Sequence, residues 1–324
     1  MSELRKHYFL DKYVIIATTR AKRPNDFKKE GRKISAKDTC PFCPENEKMI
    51  PKVLDEEKDH DYATWNIRAI ENKFGYVGLD TPFIKTDNEF YTFGNAFGGN
   101  EVVIETPLHG IEFEDLNENR IEKTLNLLKR RVIENYRKNG VEYVTVFKNR
   151  GEDAGASLSH SHHQIISYNL FPTEIKDEVE AIKKYKSLNN NVCPMCKVIN
   201  SEKESYRKIV NDENFVAFTP YASRFCFEAW IMPKRCVHSI TELNDEEIKV
   251  LAKILKKVLV SLDKMNYPAY NIFYKMSSDK NKDFHFRLEI APRVAKWAGF
   301  EYTTNTIINA VPPEDAAKFY RDEI

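Results

Sequence analysis

A chain of 324 residues with 31% charged residues and a formal net charge of +1 has no excess of either sign to draw it to nucleic acid or an anionic membrane, which points to a small-molecule partner. Its length suits two domains of ordinary size, and neither a signal-peptide core nor a run of about 18 apolar residues stands out, so a cytoplasmic protein is expected. Six cysteines, four of them in two CxxC pairs, fit metal binding in a reducing compartment better than a disulfide framework.

Along the chain, Tyr13 to Ala17 reads as a strand, followed by the basic turn Arg20-Ala21-Lys22-Arg23-Pro24. Cys40-Pro41-Phe42-Cys43 comes next, then a polar region and the alternating segment Thr64 to Ile70. Loop chemistry dominates from Gly75 to Asn100, and Glu101 to Glu105 is a strand ending at Thr106-Pro107-Leu108-His109. Asn117 caps a helix with Ile121, Leu125, Leu128 and Val132 as its apolar stripe. After the strand Glu142 to Phe147 comes a glycine-punctuated loop and His160-Ser161-His162-His163-Gln164.

The second half repeats this order after a charged helical stretch from Glu174 to Ser187. Cys193-Pro194-Met195-Cys196 precedes a strand from Glu228 to Pro233, then His238, a helix capped by Asn244, a strand from Tyr270 to Tyr274, and His285-Phe286-Arg287-Leu288-Glu289. The interval from His109 to His160 nearly equals that from His238 to His285, which marks an internal duplication.

Thiolates and imidazoles are the ligands zinc prefers, and a CxxC turn offers two to one ion. The duplication nominates Cys40, Cys43, His109 and His160 for one site and Cys193, Cys196, His238 and His285 for the other. Four protein ligands leave no open position, so two structural zinc ions per chain are expected. Cys226 and Cys236 read as ordinary thiols, and His7 and His60 have no evident partner.

In a strand, His160, His162 and Gln164 share one face and Ser161 and His163 the other. With His160 on the metal, His162 is left as a nucleophile for displacement at phosphorus. Gln164 can donate to a phosphate oxygen, and Ser157 with the backbone N–H groups of the Gly155-Ala156-Ser157 turn can cradle the same group. The second copy carries Arg287 and Glu289 at the positions of His162 and Gln164. Arginine is no nucleophile, so one catalytic centre per chain is expected.

Taken together, Arg20 to Pro24, Cys40-Pro-Phe-Cys-Pro44, Asn72-Lys73-Phe74, Glu101 to Pro107 with His109, Gly155-Ala156-Ser157 and His160-x-His162-x-Gln164 resemble the galactose-1-phosphate uridylyltransferase family of the histidine-triad superfamily. Ala298-Gly299-Phe300-Glu301 resembles that family's hexose-contacting segment. The second CxxC set resembles the two-zinc branch that includes plant ADP-glucose phosphorylase. The resemblance implies an α+β fold of two tandem histidine-triad-like domains, 1–172 with the nucleophile and 173–324 without it, each an antiparallel sheet with a packed helix and a Cys2His2 zinc site. It also implies a homodimer and ping-pong transfer of a nucleotidyl group through His162. Asn72, Asn149, Ser157 and Gln164 would contact the nucleotide, and Glu301 the hexose. Glutamine at the third position, where the superfamily's hydrolases have histidine, favours transfer over hydrolysis. Ser161 stands where the family has proline, His163 where it has a small residue, and Asn100 where it often has histidine.

The leading expectation is UMP transfer from UDP-glucose to galactose 1-phosphate. The runner-up is a phosphorylase acting on ADP-glucose with inorganic phosphate, and the third reading is a zinc-stapled nucleotide-binding protein without chemistry.

Overall fold

The computed structural model describes residues 2–22, 34–58, 65–78 and 81–324. Arg23, Pro24, His60 and Thr64 lie outside these. A hairpin opens the chain, β1 (Glu3–Lys6) and β2 (Tyr13–Ile16). His7 holds its turn, with Nδ1 accepting from the Leu10 N–H at 3.2 Å. Then follow β3 (Val53–Glu57), β4 (Ile67–Glu71), an exposed hairpin of β5 (Ile84–Thr86) and β6 (Thr92–Gly94), and β7 (Gly98–Ile104). The first half ends with α1 (Glu118–Tyr136), β8 (Tyr143–Arg150) and β9 (His162–Tyr168).

The second half runs through α2 (Thr173–Leu188), α3 (Pro194–Glu202), β10 (Lys208–Asn211), β11 (Phe215–Phe218), β12 (Ala229–Pro233), α4 (Asp245–Asp263), β13 (Tyr270–Lys275) and β14 (Arg287–Pro292). It closes with α5 (Gly299–Thr304), β15 (Ile307–Asn309) and α6 (Pro313–Tyr320).

The two long helices begin where side chains satisfy their first N–H groups. Asn117 Oδ1 accepts from the Arg120 N–H at 2.8 Å, and Asn244 forms a reciprocal capping box with Glu247. Each such cap contributes about 1 kcal/mol. The stripe Ile121, Leu125, Leu128 and Val132 is fully buried, as is its counterpart Ile248, Leu251, Leu255 and Val258.

Ten strands form one sheet in the order β10-β11-β12-β14-β13-β8-β9-β7-β4-β3. Read from its two ends, it is the same five-strand pattern twice, joined where β13 pairs antiparallel with β8 and Asn271 lies opposite Asn149. The sequence suggested a sheet for each half; instead the halves share one. The reason is that β8 and β13 would otherwise be open edges, and pairing them satisfies both rows of backbone groups.

Helices α1 and α4 lie side by side on one face of this sheet, over Val103, Val146 and Ile165 from the first half and Ile272, Leu288 and Ile290 from the second. The opposite face carries two smaller apolar clusters, one around Cys40, Phe42, Trp65 and Ile104, the other around Met195, Phe218 and Trp230.

Two features depart from the sequence reading. The stretch expected to be loop up to Asn100 contains the β5–β6 hairpin and the first residues of β7. Gly98 lets β7 start early, since a Cβ there would stand 1.8 Å from the Ser167 carbonyl oxygen. The N-terminal strands also cross to the far half: β2 pairs in parallel with β15, and Arg5 Nη1 meets Glu314 Oε1 at 3.0 Å. Among the described residues no helix is long and apolar enough to cross a membrane.

Candidate active site and metal centres

Cys40, Cys43, His109 and His160 bring their ligand atoms within 4.8 Å of one another. His160 Nδ1 lies 3.5 Å from Cys40 Sγ and 3.8 Å from Cys43 Sγ, and His109 Nδ1 lies 3.3 Å from Cys43 Sγ. Tetrahedral zinc with bonds of about 2.3 Å to sulfur and about 2.0 Å to nitrogen implies S···N separations of about 3.5 Å. Both imidazoles donate from Nε2 to backbone oxygens, His160 to Thr106 at 2.7 Å and His109 to Ser35 at 2.8 Å. That fixes the tautomer and aims each Nδ1 lone pair at the centre. Burial and the neighbouring Cys40 push the Cys43 thiol up to about 12, so a divalent cation is what would hold the pair as thiolates. The donor set fits a metal.

The same local chain places His162. Its Nδ1 donates to the His160 carbonyl at 2.8 Å, which leaves Nε2 with its lone pair. Burial, with Lys148 nearby, lowers this imidazole's pKa to about 4, so the ring is neutral at physiological pH. The ring of Phe42, from inside the CxxC turn, meets it edge-on at 5.4 Å. Register puts Gln164 opposite Phe147 and Val102, so His162, Gln164 and Asn149 share the sheet face away from α1 and α4. An uncharged imidazole with one free nitrogen beside an amide can attack a phosphorus and hold its oxygen.

Behind that strand lies a buried polar network that sequence reasoning missed. Lys148 Nζ donates to both Glu105 carboxylate oxygens at 3.0 Å, to Ser161 Oγ at 2.8 Å and to the His162 carbonyl at 3.3 Å. Ser161 in turn donates to Glu105. His163 Nδ1 meets Glu105 Oε1 at 2.5 Å, and its Nε2 receives the Tyr274 hydroxyl at 3.1 Å. Burial alone would raise the Glu105 carboxyl, but Lys148, His163 and Ser161 outweigh it and hold the pKa at about 2. His163 therefore belongs to the support and faces away from His162. The only sequence signal for this network was strand alternation, which sets Lys148 and His163 on the hidden face.

Of the residues expected to contact nucleotide, Asn149 lies on this face. Asn149 Oδ1 accepts from Asn271 Nδ2 at 2.8 Å, and the same amide donates to the Ala154 carbonyl at 2.9 Å, so Asn271 ties the 151–161 loop to β8. Gly151 and Gly155 make the turns of that loop at φ of 82° and 83°, and Ser157 is exposed on it. Asn72 follows β4, its side chain accepting from the Phe74 N–H at 3.0 Å and its backbone N–H donating to Asn100. Glu301 is buried and caps its own helix, accepting from the Ala298 N–H at 3.0 Å, so this hydrogen bond does not reach β9. Lys296 links its segment to the loop through Asp153 at 2.9 Å.

The second cluster differs from the expected one. Cys193, Cys196, Cys236 and His285 converge within 4.8 Å, and His238 is not among them. The ring of His238 is held between two carboxylates, Nδ1 against Glu242 at 2.7 Å and Nε2 against Asp279 at 2.9 Å. The carbonyls that hold the histidines just before β9 and β14 show the correspondence. His160 donates to Thr106 and His285 donates to Pro233 at 2.8 Å, and the third residue after each is His109 in one half and Cys236 in the other. Cys226, expected from the sequence to be an ordinary thiol, is buried beside Val311 and Ala316.

In the second half the counterparts of His162 and Gln164 are closed by ion pairs. Arg287 meets Glu178 of α2 through two bonds at 2.6 and 3.0 Å and Glu289 at 2.8 Å, while Arg224 reaches Glu289 at 2.5 Å. All four charges neutralise one another, and the bonds to Glu178 hold α2 against this strand.

A family model described as galactose-1-phosphate uridyl transferase, N-terminal domain, matches residues 1–172, and one described as a domain of unknown function matches residues 116–321. An ADP-glucose phosphorylase of Arabidopsis thaliana is 33% identical over 99% of this chain and 92% of its own length. A galactose-1-phosphate uridylyltransferase of Thermotoga maritima is 30% identical over 99% and 98%. The crystal structure of an ADP-glucose phosphorylase from Arabidopsis thaliana with bound ADP-glucose superposes with a TM-score of 0.84 at 30% identity, covering 99% of both chains. With a neutral histidine beside a metal-type Cys/His cluster and similarity along its whole length, this chain belongs to the galactose-1-phosphate uridylyltransferase family and is a nucleotidyltransferase-type enzyme.

Proposed function

We propose that the protein moves a UMP group from UDP-glucose to galactose 1-phosphate through a nucleotidyl-His162 intermediate. The observation that carries this reading is the 2.8 Å bond from His162 Nδ1 to the His160 carbonyl, which reserves Nε2 for attack. In the first half-reaction the Nε2 lone pair bonds to the α-phosphorus as the bond to the bridging oxygen breaks. Glucose 1-phosphate leaves as a phosphate and needs no proton. In the second, a phosphate oxygen of galactose 1-phosphate attacks the same phosphorus, and the N–P electron pair returns to Nε2. Gln164 donates to the phosphoryl oxygen as charge builds there, Asn72, Asn149 and Ser157 hold the nucleotide, and Glu301 contacts the hexose.

Both Cys/His clusters hold structural zinc in this reading, and zinc, when bound, supplies the positive charge that keeps the cysteines as thiolates. Residues 1–172 and 173–324 are its two histidine-triad-like domains, with β1 and β2 docked on the second. The enzyme works as a cytoplasmic homodimer. Exposed Phe74, Tyr76, Phe90 and Tyr91 around the β5–β6 hairpin support a surface covered by another chain. Sedimentation velocity is expected to give a dimer, and a monomer at micromolar concentration would end that part of the reading.

A second reading, ADP-glucose phosphorylase with inorganic phosphate as acceptor, is favoured by the 33% identity to the plant enzyme and the fit to its ADP-glucose-bound structure. Incubation with UDP-glucose or ADP-glucose labelled at the α-phosphate, followed by quenching and mass measurement, separates the two. A uridylyl adduct on His162 that galactose 1-phosphate discharges is expected. An adenylyl adduct discharged by inorganic phosphate selects the second reading, and the lack of any adduct overturns both.

A further inference from the structure

We propose that the second metal centre is a three-thiolate, one-imidazole site, Cys193, Cys196, Cys236 and His285, that takes a soft d10 ion and exchanges it with solvent, while the first centre retains its ion. The proposal rests on the reading that both clusters bind metal and goes beyond it in ligand identity and in function.

Ligand identity comes from geometry. His285 Nδ1 lies 3.9 Å from both Cys193 Sγ and Cys196 Sγ, and its Nε2 is tied to the Pro233 carbonyl, so Nδ1 is the free donor. Cys236 stands in the place that His109 fills in the first half. His238 cannot substitute, because both its ring nitrogens face carboxylates. Replacing one imidazole with a thiolate makes the donor set softer and more negative, which favours zinc and cadmium over harder divalent ions.

Exchange follows from burial. Cys40 and Cys43 are 2% and 1% exposed, sealed under Phe42 and Trp65. Cys236 is exposed, and Cys193 and Cys196 are half-buried. A competing ligand can therefore reach Cys236 first and displace the protein's donors one at a time. The first centre offers no such entry through its cysteines. Because the second half has Arg287 in place of a nucleophile, metal can come and go there without touching His162.

The test uses the full chain loaded with zinc and a chromophoric chelator, with iodoacetamide footprinting of the cysteines read by mass spectrometry. One ion per chain is expected to leave at least about tenfold faster than the other. Cys193, Cys196 and Cys236 should become alkylated in that phase while Cys40 and Cys43 stay protected. Cadmium alone should displace one zinc per chain. Cys236→Ala should lose the fast ion, and His238→Ala should keep both. Should Cys236→Ala fail to fold, Cys236→His serves instead, and is expected to hold two ions with a weaker thiolate-to-metal absorption band after cobalt substitution. Release of both ions at one rate, protection of Cys236 during the fast phase, or loss of the ion in His238→Ala with retention in Cys236→Ala would overturn the proposal. Protein purified without any zinc would instead overturn the metal reading beneath it.

Discussion

His162 donates from Nδ1 to the backbone oxygen of His160 at 2.8 Å, so the residue whose side chain faces the Cys/His cluster also decides which nitrogen of its neighbour is free. Anchoring and activation are thereby carried by one short segment. The first consequence concerns the nucleophile itself. His162→Gln is expected to remove the covalent nucleotidyl adduct and to slow transfer on the order of 10⁴-fold or more while nucleotide still binds. Quenched mass spectrometry and calorimetry with the nucleotide sugar read the two effects separately, and an adduct persisting in this variant would exclude His162.

The second concerns the metal beneath it. Cys40→Ser leaves one Sγ and two imidazoles at the first centre, and His160 loses its anchor. Elemental analysis should show about one zinc fewer per chain, with kcat falling alongside. Unchanged kcat in protein that has lost this ion would separate the metal from the chemistry.

The buried pair Glu105 and Lys148 makes a stability prediction with a definite sign. The folded pKa of Glu105 is held at about 2, against about 4.3 for an unperturbed glutamate. Its contribution is thus complete above about pH 4.3 and is lost as pH falls towards 2. The gap corresponds to roughly 3 kcal/mol. Glu105→Gln, which strands the Lys148 ammonium, should cost about 3–5 kcal/mol near neutrality. Denaturant unfolding from pH 7 to 3 should show the wild type converging on the variant as the acid limb is entered. A constant difference across that range would mean that Glu105 is not held as a carboxylate.

Asn271 offers a test of the loop. Its amide bridges Asn149 and the Ala154 carbonyl at 2.8 and 2.9 Å. Asn271→Ala removes both bonds, at about 1–3 kcal/mol. We expect KM for the nucleotide sugar to rise about tenfold with a smaller change in kcat. An equal fall in kcat with unchanged KM would place Asn271 in the transition state instead.

What could be read from the chain alone was what covalent proximity or a simple period fixes. CxxC pairs, the alternation of His162, His163 and Gln164, the caps Asn117 and Asn244 and the two helical stripes are all set within a few residues, and each lies where its spacing puts it, whereas His160 sits in a bend just before β9. The duplication also paired distant segments correctly enough to assemble Cys40, Cys43, His109 and His160. The short strands β3, β10 and β11 were not read from the sequence. Tertiary structure alone decided the rest. Cys236 and His238 are two residues apart and both are metal-ligand types, and only the path of the chain after Pro233 turns the thiol inward to the cluster and the imidazole to Glu242 and Asp279. Likewise, Lys148, His163 and Tyr274 come from three different strands and Glu105 from the residue after β7, and the charges of Lys148 and Glu105 become tolerable in the interior only when the sheet brings them into contact, because burial penalises either one alone.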